Sequence, residues 1–377
     1  MRVGLNLLYL VPGETGGTET YARQLIPALL DAAPELRLTA FVNLEAAEGE
    51  PGPWGELIPA VTVPVRARRR AQWVRGEQQL LPPIAARAGV DLVHSLANTG
   101  PAWGRFRRVV TIHDLNHRIV PEAHLGLLGP GMRVLVALAA RRSHRIIVDA
   151  QSTRTDLVRL LRVPPEKIDV VPLGLGAVRE VAPEPEEELR RRLHAGRRPI
   201  ALCVSGKRPH KNLGRLIGAL GMIEPGSRPL LVLAGYPTRH ERELRRRAGA
   251  LGLEEDVRFL DWVAPATLEA LYAAAACFVF PSLYEGFGLP VLEAMARGVP
   301  VACSERGSLA EVAGDAALLF DPESEPAIAA ALRRLLGDGD ERERLRAAGR
   351  RRAAGFTWEA TAAATLAAYE RTLSAPR

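Results

Sequence analysis

No stretch of this chain reaches the eighteen or so unbroken apolar residues of a membrane-crossing helix, and the opening Met1-Arg2-Val3-Gly4-Leu5-Asn6-Leu7-Leu8 lacks the cleavage region of a signal peptide. A cytoplasmic protein is expected. Cysteine is scarce: Cys203, Cys277 and Cys303 are odd in number, far apart, and each lies in an apolar run of strand length. That pattern gives buried, reduced thiols in place of a disulfide framework. Collagen-like periodicity and disorder are also missing, because hydrophobic residues make up 47% and charged residues 25%, the balance of a globular protein. No nucleophile pair, no metal-ligand cluster and no strand-end carboxylate or histidine clearly placed as an opposite-face base stands out. Asp338-Gly339-Asp340 follows no strand and reads as a charged turn between helices.

What the chain has is length and rhythm. Its 377 residues exceed what one hydrophobic core ordinarily supports, so two domains are expected. Short apolar runs alternate with longer amphipathic stretches, the signature of a parallel sheet covered by helices. Strands are expected at Val3-Leu8, Leu38-Val42, Asp91-His94, Val109-His113, Arg145-Val148 and Ile168-Val171, then at Ile200-Val204, Leu230-Ala234, Val257-Leu260, Cys277-Phe280, Val299-Cys303 and Ala317-Phe320. The predicted fold class is α/β, with two Rossmann-like doubly wound domains at 1–178 and 179–355. Periodicity disappears between Gly174 and Pro185, which places the linker there, and the acidic run Glu184 to Glu188 overlaps its end. A helix over 356–377, with Thr357 as its N-cap, is expected to cross back to the first domain. Ligands of such sheets bind beyond the carboxyl ends of the strands, so two facing domains would enclose a cleft between them.

The formal charge is +7 and the pI about 9.7. Arginines cluster at Arg66, Arg68, Arg69, Arg70 and Arg75, and at Arg105, Arg107 and Arg108, among Trp73, Trp103 and Phe106. That mixture suits the anionic inner face of a cell membrane, and equally a solvated face of an arginine-rich protein. Both readings stay open.

The segment richest in chemistry is Pro281-Ser282-Leu283-Tyr284-Glu285-Gly286-Phe287-Gly288-Leu289-Pro290-Val291-Leu292-Glu293, which continues to Gly298. Pro290 suits the first helical position and Gly298 the C-terminal stop. The glycine-rich run Gly286 to Leu289 therefore ends at a helix N-terminus, where free backbone N–H groups and the helix dipole favour a diphosphate. Glu293, a turn further in, is placed for the two vicinal hydroxyls of a ribose.

Glu285 and Glu293, with seven residues between them, resemble the paired glutamates of retaining GT-B glycosyltransferases of family 4. Further resemblances run in order along nearly the whole chain: Gly16-Gly17-Thr18-Glu19, His113-Asp114, Lys211-Asn212-Leu213, Glu311-Val312 and Gly314-Asp315-Ala316-Ala317. The likeness implies two facing Rossmann-like domains, a nucleoside-diphosphate sugar as co-substrate, and neither cofactor nor metal. It implies that Gly16 and Gly17 bring amides to the donor diphosphate, that Gly286, Phe287, Gly288 and Leu289 line the donor site, that Glu285 faces the transferred sugar, and that His113 contacts the sugar near its reacting carbon. Lys211 is carried over as the cation for the leaving group. Whether Lys207 or Arg208 is its partner stays open, because the family spacing is one residue longer than from Lys207 to Lys211.

The segment Arg208-Pro209-His210-Lys211-Asn212 resembles mannosyl-transferring members, which puts GDP-mannose ahead of UDP-sugars. The acceptor, a glycan, a lipid-linked sugar or a small molecule, belongs to the loops Glu45-Trp54 and Arg66-Leu81, whose chemistry is not legible. A nucleotide-sugar epimerase, or a phosphorylase or synthase of the same architecture, is the rival enzyme. A non-catalytic basic protein binding nucleic acid or a membrane surface is the rival from another class. It would leave Glu285, Glu293, Lys211 and Gly16-Gly17 without a purpose, and nucleic acid is not an expected partner.

Overall fold

The computed structural model describes residues 1–49, 52–120, 128–176 and 181–375. They form two compact units: Met1–Arg118 with Gly126–Gly176 and Thr357–Arg377, and Ala177–Phe356 with Ile119–Leu125. The first holds a sheet of β1 (Arg2–Leu7), β2 (Arg37–Val42), β3 (Ala60–Thr62), β4 (Leu92–Ser95), β5 (Arg107–Thr111), β6 (Arg145–Val148) and β7 (Ile168–Val170), in the order β3-β2-β1-β4-β5-β6-β7. In the second, β8 (Ile200–Val204), β9 (Leu230–Ala234), β10 (Val257–Leu260), β11 (Ala275–Phe280), β12 (Val301–Ser304) and β13 (Ala317–Phe320) run in the order β10-β9-β8-β11-β12-β13. Every pairing is parallel. Two doubly wound sheets with helical crossovers are the expected α/β architecture.

The central strands were readable because helices bury both of their faces, so that Leu230–Ala234 is a continuous apolar run and Val3–Leu7 is broken only by the buried Asn6. β3 was not expected. It is three residues long, lies at the sheet edge between Pro59 and Pro64, and is mostly exposed, so it carries no apolar run. The segments Glu45-Trp54 and Arg66-Leu81, expected as loops, contain helices at Leu44–Glu48, Pro53–Glu56 and Arg70–Arg75, then a π-helical turn at Gly76–Leu80 leading into the helix Leu81–Arg87. Gly76 and the pair Pro82-Pro83 interrupt the helical pattern in the sequence, while Glu50 and Pro51 lie outside the described residues. Asp338, read as part of a turn, is the N-cap of the helix Gly339–Ala354 and accepts from the Glu341 N–H at 2.9 Å.

The acidic end of the expected linker is built into the second unit. Glu184 donates its N–H to the Ala266 carbonyl at 3.2 Å, accepts from the Thr267 hydroxyl at 2.5 Å and pairs with Arg192 at 3.0 Å. Glu186, Glu187 and Glu188 then occupy the first turn of the helix Glu186–Arg192, where its dipole favours them. Residues 177–180 lie outside the described set.

The last helix, Trp358–Ser374, starts on Thr357, whose hydroxyl accepts from the Ala360 N–H at 3.2 Å. It packs within the first unit through a fully buried polar chain. The Tyr369 hydroxyl meets His94 Nδ1 at 2.7 Å, His94 Nε2 meets the Thr111 hydroxyl at 2.8 Å, and Thr111 meets the Tyr21 hydroxyl at 3.2 Å. Burial, and then the nearby His113, push His94 down to about 3, so it sits here as a neutral ring with one donor and one acceptor nitrogen. Tyr369→Phe removes one partner from a ring that water cannot reach. A loss of about 1–3 kcal/mol in urea-measured stability is expected, and an unchanged urea midpoint would show that the bond contributes nothing.

Candidate functional site

In the second sheet β8 and β11 are neighbours, yet the chain travels outward from β8 to β9 and β10 before returning at β11. That reversal is the topological switch point, where open α/β sheets bind ligands. Two loops meet there. The first carries the turn Pro209–Lys211 and then Asn212, in left-handed conformation at φ +59°. The Asn212 side-chain amide donates to the carbonyls of Pro281 at 3.0 Å and Pro322 at 2.7 Å, and the Leu283 N–H donates to the His210 carbonyl at 2.8 Å. These bonds lock the Lys211 loop to the loop after β11. Lys211 Nζ donates to Glu285 Oε1 at 2.6 Å, and the ammonium lies 5.2 Å from the centre of the Phe280 ring. The Ser308 hydroxyl fixes Glu285 from behind by donating to its main-chain carbonyl at 2.9 Å.

Gly288 ends this loop at φ +111°, where a Cβ would stand 2.5 Å from Leu309 Cδ2, so both backbone and packing require glycine. The helix Leu289–Ala296 follows with no side-chain cap on its first N–H groups and with Pro290 in its first turn. Its far end closes as a Schellman motif: Gly298, at φ +69°, donates to Met295 at 3.0 Å and Val299 donates to Ala294 at 2.9 Å. Phe287 is buried, its ring edge-on to Phe356. On the helix, Glu293 Oε2 accepts from the Tyr272 hydroxyl at 3.1 Å. Burial raises the Glu293 pKa, a rise that Arg297 and the Tyr272 hydrogen bond reduce without cancelling.

Lys207 and Arg208, adjacent in sequence, have opposite fates. Lys207 is fully buried; its ammonium donates to the carbonyls of Gly235 and Leu260, each at 2.6 Å, and lies 3.6 Å from Glu241. It joins the carboxyl ends of β9 and β10, and burial holds its pKa below the usual lysine value. Arg208 is exposed, and its guanidinium makes no hydrogen bond or ion pair among the described residues. A compositional signal marks these positions: the chain has three lysines, Lys167, Lys207 and Lys211, among 50 basic residues.

In the first sheet the switch point lies between β1 and β4. Gly16 caps the helix Gly17–Ala32 with φ +61° and ψ −128°, a conformation open to glycine. Among the described residues, a Cβ on Gly16 or Gly17 would meet nothing within 4 Å beyond its chain neighbours and its own helix backbone. His113, expected to end a strand, lies two residues beyond the end of β5, where the Asn98 side chain accepts from its N–H at 2.7 Å. Its Nδ1 meets Asp149 Oδ2 at 2.7 Å, its Nε2 meets the Leu96 carbonyl at 2.8 Å, and Tyr21 stands edge-on at 4.9 Å. With Asp149 ionised, both ring nitrogens face acceptors, the arrangement of an imidazolium; burial raises the Asp149 pKa and the His113 charge lowers it. Burial lowers the His113 pKa, but the Asp149 charge and hydrogen bond, the Leu96 carbonyl and Asp114 outweigh it and leave the pKa raised. Asp149, the first residue after β6, is a strand-end carboxylate that the sequence reading passed over; it is buried against His113.

Two of the aromatics read alongside the arginine clusters belong to the core. Phe106 is buried and Trp73 packs against the same cluster, while Trp103 is exposed with its indole N–H held by the Gln78 carbonyl at 2.7 Å. The three thiols are buried as expected, each pushed up to about 12 by burial. Among the described residues, no helix is long and apolar enough to cross a membrane.

Residues 185–352 match the family described as glycosyl transferases group 1, and residues 15–177 match glycosyltransferase family 4. The chain is 34% identical over 269 residues to the O-antigen chain mannosyltransferase B of Escherichia coli, covering 70% of each protein. It is 32% identical over 313 residues to the D-inositol 3-phosphate glycosyltransferase of Jonesia denitrificans, covering 80% of this chain and 70% of that one. Sucrose-phosphate synthase from Thermosynechococcus elongatus shares the fold over 100% of both chains, with a TM-score of 0.79 at 22% identity. Anabaena HepE in complex with UDP and glucose shares it with a TM-score of 0.72 at 21% identity, over 97% of this chain and 99% of that one.

Lys207→Ala strands two carbonyls and Glu241 without their cation, so a loss of about 3 kcal/mol is expected, against less than about 0.5 kcal/mol for Arg208→Ala. Equal losses in thermal or urea unfolding would contradict the assignment of Lys207 as an internal clamp. For His113, ¹⁵N NMR should show protons on both ring nitrogens near pH 6.5 and a titration above that of a free histidine. Asp149→Asn should bring the titration down, whereas a neutral single-proton ring would instead place the proton of the pair on Asp149.

Proposed function

The chain belongs to family 4 of the GT-B glycosyltransferases, and from that premise we propose that it moves a hexose, mannose first, from a nucleoside-diphosphate sugar with retention of anomeric configuration and without a metal ion. The observation that carries this reading is the Lys211–Glu285 pair at the switch point of the second sheet, beside an uncapped helix N-terminus. A diphosphate would take the N–H groups of the Gly286 to Leu289 turn and the remaining donors of Lys211, with exposed Arg208 as the second cation. Glu285 would exchange part of its bond to Lys211 for hydroxyls of the sugar. Glu293 would accept the ribose hydroxyls.

In the reaction the acceptor oxygen bonds to the anomeric carbon, the bond from that carbon to the diphosphate breaks, and the acceptor proton passes to the departing phosphate oxygen on the same face. Charge grows on the diphosphate as the bond breaks, which is where a fixed ammonium contributes most. The state of His113 supports retention: an imidazole with both nitrogens donating has no lone pair with which to act as an opposite-face base, so its role is a fixed positive charge. The first unit takes the acceptor, and its Gly16-Gly17 turn would bring backbone amides to the donor diphosphate.

Mannose is favoured by the relative named as an O-antigen chain mannosyltransferase and by the segment Arg208 to Asn212. The acceptor is read as a glycan, a lipid-linked sugar or a small molecule. The protein is placed in the cytoplasm. Exposed Arg69, Arg70 and Arg75, without partners among the described residues, together with Trp103, would carry any contact with an anionic inner leaflet.

The test is turnover of GDP-mannose and UDP-sugars in excess chelator, with product stereochemistry followed by proton NMR. Full activity and a retained anomeric centre are expected. An inverted centre would remove the retaining assignment, and loss of activity in chelator would remove Lys211 as the sufficient counter-charge. Lys211→Ala should lower kcat by at least about a hundredfold, with a smaller change in donor affinity.

A further inference from the structure

Glu293 is useful to a ribose only if its carboxylate is ionised and held in one orientation, and Tyr272 and Arg297 act toward both, against the burial that raises its pKa. The Tyr272 hydroxyl, on the helix Pro265–Ala274, donates to Oε2 at 3.1 Å. Oε1 has no hydrogen bond among the described residues. Tyr272 is fully buried, and its ring is fixed on one side by the Arg297 guanidinium, 4.7 Å from the ring centre, with Phe278 at 6.0 Å. Arg297 is itself fixed by two bonds to Glu269, at 2.8 and 2.5 Å, and by a third to the main-chain carbonyl of Glu293 at 3.0 Å. Three side chains in series thus lead to one carboxylate oxygen.

We propose that Tyr272 is a positioning residue of the donor site: held by Arg297 and Glu269, its hydroxyl pins Oε2 of Glu293 so that Oε1 and the remaining lone pair of Oε2 receive the two vicinal hydroxyls of the donor ribose. The proposal rests on the assignment of Glu293 to the ribose. A nearly buried phenol with a single acceptor in reach is a directional constraint that a solvated glutamate lacks. Electrostatics act in the same sense. Burial and then the Glu293 charge raise the Tyr272 pKa well above its usual value, so the phenol remains a donor at any working pH. Burial raises the Glu293 pKa, and of the charged or polar neighbours Arg297 and Tyr272 lower it while Glu269 raises it. Cys203, also near Tyr272, is a neutral thiol. Removing the phenol therefore moves the Glu293 titration further up.

Tyr272→Phe keeps the ring and its stacking and removes one oxygen. The probes are GDP and UDP, each compared with its 2′,3′-dideoxy form, by calorimetry between pH 5.5 and 8.5. The variant should bind the ribonucleotide about three- to tenfold more weakly, the dideoxy form as well as the wild type does, and kcat at saturating donor should stay within twofold. Binding that needs the carboxylate is lost as pH falls through the Glu293 pKa, so the loss should begin at higher pH in the variant. Equal weakening of ribo and dideoxy forms, or an unmoved pH profile, overturns the positioning role. Glu293→Ala keeps that failure separate from failure of the ribose assignment: if this variant weakens the ribo and dideoxy forms equally, the ribose contact itself is wrong. Should Tyr272→Phe not fold, Arg297→Lys, which loosens the stack and keeps the hydroxyl, must show the same selective loss in milder form.

Discussion

A parallel strand covered on both faces can offer polar chemistry only where it ends, and this constraint shapes the second unit throughout. In β8, β9 and β11 the residues run Ile-Ala-Leu-Cys-Val, Leu-Leu-Val-Leu-Ala and Ala-Ala-Cys-Phe-Val-Phe, almost wholly buried. Polar side chains first become affordable at Ser205, past Gly235 and at Ser282, all on one edge. Charges that collect there must be neutralised among themselves or directed outward, because an unpaired buried ion is far costlier than any single bond returns. Lys207 is the first solution and Lys211 with Glu285 the second. One ties two strand ends together, and the other joins two loops.

The same constraint decides what could be read in advance. Strands buried on both faces announce themselves as unbroken apolar runs, which is why twelve of the strands were placed within a few residues of their positions, while β3, short and exposed, was not. The helices Arg70–Arg75 and Leu81–Arg87 escaped because Gly76 and Pro82-Pro83 break the 3.6-residue period at their junction, where the chain adopts a π-helical turn instead of stopping. Side-chain direction lies further from the sequence. Lys207 and Arg208 both follow a buried strand and both are cationic, yet one turns inward to two carbonyls and the other outward. That depends on Gly235 at φ +139° and on where β10 ends, and both lie dozens of residues away. Tyr272 and Asp149 were invisible for the same reason: each matters through one long-range partner.

The two units stabilise their strand ends by different means. In the first, the chain Tyr369–His94–Thr111–Tyr21 is uncharged, with His94 neutral, and it ties the last helix to the sheet through hydrogen bonds that need no counter-ion. Beside it His113 is paired with Asp149, which together with the Leu96 carbonyl and Asp114 raises its pKa above the usual histidine value. The two histidines thus differ by what each nitrogen faces: hydroxyls, which accept or donate, around His94, and a carboxyl group and a carbonyl around His113.

Lysine usage extends that argument. With three lysines among 50 basic residues, this chain uses arginine wherever either cation would serve. Each lysine that remains gives its compact tetrahedral donor to one or two oxygens. Lys167 reaches the last carbonyls of a helix, Ala140 at 2.7 Å and Arg141 at 3.0 Å; Lys207 joins two carbonyls of different strands; Lys211 meets one carboxylate oxygen over an aromatic face. At the fully buried Lys207 a guanidinium would demand coplanar acceptors and more volume. At Lys211 this bears on the transfer proposed above: with one N–H held by Glu285, the two remaining donors would be able to swing about the C–N axis and follow the diphosphate oxygens as their charge and position change. A bidentate arginine would resist that movement.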